Sequence, residues 1–89
     1  MNPLHMAQDY DRAKTHLVRM QVFYRIGAAE LENAKLLMEI FQRDGKHMPK
    51  PIREQFSQAV AMTARKAHDY MWLAHAGGYN VALDPYLED

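Results

Sequence analysis

The sequence predicts an all-α protein, an antiparallel helical hairpin with a long first helix that assembles as a homo-oligomeric helical bundle. Three observations predict it. Two long segments carry apolar residues at helical spacing, one cluster of glycine and proline separates them, and the first segment is apolar along two faces. The hairpin takes up 1–89 as a single domain, with helix 1 over about 3–43, a loop at 44–51, helix 2 over about 52–76 and a tail at 77–89.

Helix 1 opens on Asn2-Pro3, where asparagine suits the N-cap and proline the first helical position. One stripe then reads Tyr10, Ala13, Leu17, Met20, Tyr24, Gly27, Leu31, Ala34, Met38, Phe41 in strict 3-4 spacing. A second stripe, Val18, Val22, Ile26, Ala29, Leu36, Ile40, broken by Asn33, lies roughly opposite. A single second helix covers one stripe only, so the other calls for another subunit, or for partial cover by the tail. Gly27, followed by two alanines, marks a kink, a tight crossing or a ligand approach, because glycine costs a helix about 1 kcal/mol against alanine.

The loop contains Gly45, Pro49 and Pro51. Gly45 can cap a helix end, and the prolines forbid one continuous helix. Pro51 suits the first turn of helix 2. That helix has the stripe Ile52, Phe56, Val60, Ala64, Ala67, Met71, Ala74, and Gly77-Gly78 ends it. In the tail, Val81, Leu83, Tyr86 and Leu87 are expected to fold back on the hairpin.

Size argues for self-association independently. A chain of 89 residues buries a modest share of its surface, and small domains add disulfides, a metal or copies of themselves. There is no cysteine, so disulfides and thiolate metal sites are excluded. Lys plus Arg equals Asp plus Glu at 11 each, so no net field draws the chain to DNA or an acidic membrane. No transmembrane run or signal peptide is recognisable, which makes the cytoplasm the expected compartment.

No catalytic, metal or cofactor site is expected. The five histidines lack the HExxH and ExxH spacings, and GxSxG, the P-loop and GxGxxG are absent. The carboxylates single out no acid and base, so an enzyme is not expected. Two candidate features remain. Tyr10 or Tyr24 with Arg25 offers a ring to stack a base and a guanidinium for phosphate, at a pocket between subunits. Trp72, on the edge of the helix 2 stripe, reads as a packing residue, and if exposed it becomes the best partner anchor.

At Tyr10, Arg25, Ala28-Ala29-Glu30-Leu31, Arg53, Phe56, Gln58-Ala59-Val60 and Arg65 the chain resembles a known family. It is the phage helical-hairpin sponge that defeats CBASS defence by sequestering cyclic nucleotides, with a relative acting against Thoeris signalling. The likeness covers stretches of about twenty and fifteen residues. It rests on the fifteen-residue interval from Tyr10 to Arg25, the small-Ala-Glu-Leu run, and the helix 2 arginines. Arg25 stands for a lysine, Gly27 for a hydroxyl residue of some members, Ala59 for a glycine, and Asp9-Tyr10-Asp11 for Gly-Tyr-Arg. The resemblance implies a non-catalytic homo-oligomer, often a hexamer, that binds a cyclic di- or trinucleotide in the host cell cytoplasm. Tyr10 would stack on a base, Arg25 would pair with phosphate beside Gly27, and Arg65 would serve a second pocket.

A different class is a protein-interaction module, an inhibitor, adaptor or chaperone that presents Trp72 or a Tyr86-Leu87 patch to a host protein. An RNA-binding bundle is the weakest reading, because it needs a basic face that the neutral composition does not supply.

Overall fold

The computed structural model describes residues 3–88. Helix α1 spans Pro3–Asp44, a 3-10 turn spans Gly45–His47, and α2 spans Lys50–Ala76. A second 3-10 turn, Val81–Leu83, leads into the short helix α3, Asp84–Leu87. The expected Asn2 cap lies outside the described residues.

α1 and α2 pack antiparallel along the expected stripe of α1. Phe41 stacks near Phe56 beside the loop, Phe23 near Tyr70, and Met20 lies against Gly77 at the far end. α1 runs unbroken through Gly27, so of the three readings of that glycine the tight crossing holds. A Cβ there would stand 2.6 Å from Met71 Cγ and 2.9 Å from the Ala67 carbonyl oxygen. The penalty of a glycine inside a helix is accepted where two backbones come close.

α2 begins at Lys50, two residues earlier than the proline pattern suggests. Pro51 lies within the first turn, where its missing N–H is not needed. Gly45 is not a left-handed cap. It is buried under Phe41, and the chain passes through it into the 3-10 turn. At the other end the glycine pair does cap α2. Gly78 takes φ +91°, its N–H donates to the His75 carbonyl at 3.0 Å, and the Tyr79 N–H donates to the Ala74 carbonyl at 3.0 Å. These two bonds make a Schellman motif. The motif turns the chain so that Tyr79 and Leu87 pack on Ala74 and over Leu17, Val18 and Tyr24.

The helix 2 stripe holds in part. Phe56, Val60, Ala67, Met71 and Ala74 face α1, whereas Ile52 and Ala64 are exposed. The interior is a thin seam, in which the buried apolar residues are Ala34, Val60, Ala67, Ala74, Tyr79 and Leu87. The protein measures 67 × 19 × 14 Å with a radius of gyration of 19.1 Å. A compact domain of this length would have about 12 Å. Its accessible surface is 6878 Å², where a compact monomer of 10.4 kDa exposes about 5,400 Å².

Candidate functional site

The outer face of α1 keeps its apolar residues in the open. Val22, Ile26, Ala29 and Leu36 are exposed, and Val18 and Ile40 are half-buried. Among the described residues, the tail packs on this face at Val18 and bonds to Gln21 and Arg25 along its flank, so the partial cover expected of it lies towards that end. A second uncovered surface follows from the lengths of the helices. The His16 ring Nε2 bonds to the Gly77 carbonyl at 2.8 Å, which marks where α2 stops. α1 continues past that point, and its Met6 and Tyr10 lie in solvent.

Of the four residues proposed for ligand, Tyr10 is 63% exposed on this overhang. Arg25 sits on the flank of α1, where its guanidinium donates to Glu88 at 2.9 Å. Fifteen residues of helix separate the two by about 22 Å, so one chain does not bring them together. Gly27 is buried beneath Met71 and Ala67 and offers no surface within the chain. Arg65 is on the outer side of α2, 4.0 Å from Asp69 one turn on, and lines an open groove with Glu30, Met62 and Lys66. A phosphate there would meet Glu30 and Asp69 as well as the two cations.

The three residues proposed for a partner fall into two environments. Trp72 is 60% exposed, which corrects its reading as a packing residue: it stands about 100° round the helix from Met71, past the edge of the seam. Tyr86 is 73% exposed. Leu87 is only 8% exposed and belongs to the core with Ala74 and Tyr79, so it is not a surface contact. The Tyr86-Leu87 patch is therefore Tyr86 alone.

Composition and periodicity missed a polar latch that fixes the tail. Asp84 accepts hydrogen bonds from the Tyr79 hydroxyl and from Gln21 Nε2, the latter at 2.9 Å. These bonds hold the Asp84 carboxyl below the usual carboxylate range. Burial, helped by the bond to Asp84, pushes the Tyr79 phenol up to about 12. Gln21 is the buried polar residue of α1, and its place between Val18 and Val22 was the available signal. The His75 ring adds a bond to the Tyr79 carbonyl at 3.1 Å.

Among the described residues, no group of three His, Cys, Asp or Glu side chains could hold a metal, and no helix is long and apolar enough to cross a membrane. No family model, curated protein or solved structure matches this chain.

Proposed function

We propose that the protein is a non-catalytic binding module that works as a homo-oligomer and takes its ligand between copies. The observation that carries this is the outer stripe of α1, whose Val22, Ile26, Ala29 and Leu36 stay exposed after α2 and the tail have packed. The surplus of about 1,500 Å² over a compact monomer is of the size that one or two subunit contacts remove.

The ligand class follows from the residues at the openings that such an assembly would leave. Tyr10 offers a ring on an overhang that can reach another copy, and Arg25 offers a guanidinium whose present partner, Glu88, is itself mostly exposed. Exposed pairs of this kind contribute about 0–1 kcal/mol, so a phosphate can displace Glu88 at small cost. A stacked base with a charge-assisted phosphate bond describes a cyclic di- or trinucleotide, the ligand that the sponge resemblance implies. The protein would then sequester a signal of host immunity, as a phage product in the host cytoplasm. Gly27 would support the site by keeping α1 close to α2, without touching ligand.

Titration calorimetry with a panel of cyclic di- and trinucleotides tests this reading. Binding at micromolar Kd or tighter, lost in Tyr10→Ala and Arg25→Ala while light scattering finds the oligomer intact, is the expected result. An oligomer that gives no heat with any member would remove the ligand and leave the self-association.

A second reading is favoured by the exposure of Trp72 and Tyr86. These would anchor a host protein on the outer side of α2 and the tail, with no small ligand. It predicts a stoichiometric protein partner that Trp72→Ala fails to recover.

A further inference from the structure

The outer stripe of α1 repeats when read backwards. Ala29 is its centre. Val22 and Leu36 lie seven residues to either side, and Val18 and Ile40 lie eleven to either side. With a rise of about 1.5 Å per residue, these four side chains have apolar counterparts at the same distance from Ala29, whereas Ile26, three residues before it, is matched by Glu32 three residues after it. A second copy laid antiparallel, with its two-fold axis at Ala29, would therefore seat the exposed Val22 against Leu36, twice over, and bring Ile40 to the edge of Val18, which the tail already half-covers.

We propose that this face binds a second copy of the chain in that antiparallel register. The proposal rests on the self-association just argued, and its test reads the register without the ligand. Three observations select the occupant. The chain has about 1,500 Å² of surface beyond that of a compact monomer, against about 800 Å² per partner in a standard interface. The centre of the stripe is alanine, which allows two helices to approach closely. An isologous contact also requires a self-complementary patch, and the stripe is one at Ala29, Val22 with Leu36, and Val18 with Ile40.

Charge separates antiparallel from parallel pairing. Arg25 and Glu32 are two turns apart on one flank of α1, both exposed. Antiparallel pairing about Ala29 brings Arg25 of each copy within about one residue rise of the other's Glu32. Lys14 then lies near the other copy's Arg43, whose charge already has Asp44 at 3.0 Å. A parallel in-register pair would set Lys14 across from Arg19, like against like, with the helix dipoles aligned. The antiparallel pair leaves the Tyr10 overhang open, so a Tyr10–Arg25 cleft would belong to contacts between pairs.

Because the chain has no cysteine, single cysteines report the register directly. Ala29→Cys, Val22→Cys and Leu36→Cys would each be oxidised with copper phenanthroline, and then Val22→Cys would be mixed with Leu36→Cys. A disulfide needs Cα atoms within about 7 Å, and antiparallel pairing sets the two copies of position 22 about 21 Å apart. The expected result is a disulfide dimer in most of Ala29→Cys, little in Val22→Cys or Leu36→Cys alone, and several-fold more when those two are mixed. Self-crosslinking of Val22→Cys would show parallel pairing and overturn the proposal. An oligomer by light scattering in which none of these crosslinks forms would overturn the register while leaving self-association standing. A 10 kDa particle would overturn both.

Discussion

Replacing Gly27 by alanine distinguishes a helix crossing from a ligand contact, and two opposing effects decide its sign. Alanine improves the intrinsic stability of α1 by about 1 kcal/mol. Against this, its Cβ would enter at 2.6 Å from Met71 Cγ, 2.9 Å from the Ala67 carbonyl and 3.0 Å from the Met71 backbone nitrogen. Met71 Cγ can swing aside, but the two backbone atoms move only if α2 moves. Overfilling a packed site costs about 1–3 kcal/mol, and here the adjacent seam is made largely of alanine, with few flexible side chains to absorb the shift. The helices must part along the Ala67 and Ala74 contacts, so the cost falls towards the upper end of that range. The net expectation is a loss of about 1–2 kcal/mol, or about 4–15 °C in Tm for a domain of this size. Thermal circular dichroism of Gly27→Ala and wild type at one matched concentration measures it, since self-association would make the Tm depend on concentration. A rise in Tm of several degrees would refute the reasoning: propensity alone would then be acting, with no close crossing at position 27.

Further outcomes concern the tail and the surface. Leu87→Ala, which empties a buried place beside Ala74 and Tyr79, should cost about 2 kcal/mol in urea unfolding, whereas Tyr86→Ala next to it should stay within about 0.5 kcal/mol. The Asp84 carboxyl is held below its unfolded value, so its contribution is present above about pH 4 and fades as pH falls through the lower folded value; Asp84→Asn should flatten that part of a urea-midpoint against pH curve. Tyr79 has the opposite sign, its folded value being raised to about 12, so its stabilising effect is lost as pH climbs from about 10 towards 12. Ultraviolet titration should show a late phenol step that is missing in Tyr79→Phe. Arg25→Ala should leave the melting curve within about 1 kcal/mol of wild type, because its ion pair with Glu88 is exposed on both sides.

The extended regularities were legible in the sequence, and the single placements were not. The ten-member stripe of α1, the glycine-proline break and the Gly77-Gly78 stop describe the hairpin, because each is a repeated or local signal that tertiary contacts do not override. Ile52 and Ala64 left the seam because a stripe chosen by residue type is broader than the line along which two helices touch. Trp72 differs from Met71 by one position, and one position of helix turns a side chain by about 100°. The tail has no period, so nothing in its pattern separates buried Leu87 from exposed Tyr86. That choice is made by the Gly78 turn and by Asp84 reaching Tyr79 and Gln21, a partner 63 residues back in the chain. The proposed ligand residues show the same limit. Spacing identifies Tyr10 and Arg25 as a pair of types, but 22 Å of straight helix puts the meeting, where it occurs, between chains.

The mass of the particle at dilution tests the central claim most directly. Multi-angle light scattering, run from micromolar concentrations downward, should find a multiple of the 10.4 kDa chain that Leu36→Asp and Val22→Asp dissociate. A monodisperse 10.4 kDa species across that range, with a melting temperature unaffected by Leu36→Asp, would mean that the outer face of α1 needs no cover and would contradict the account.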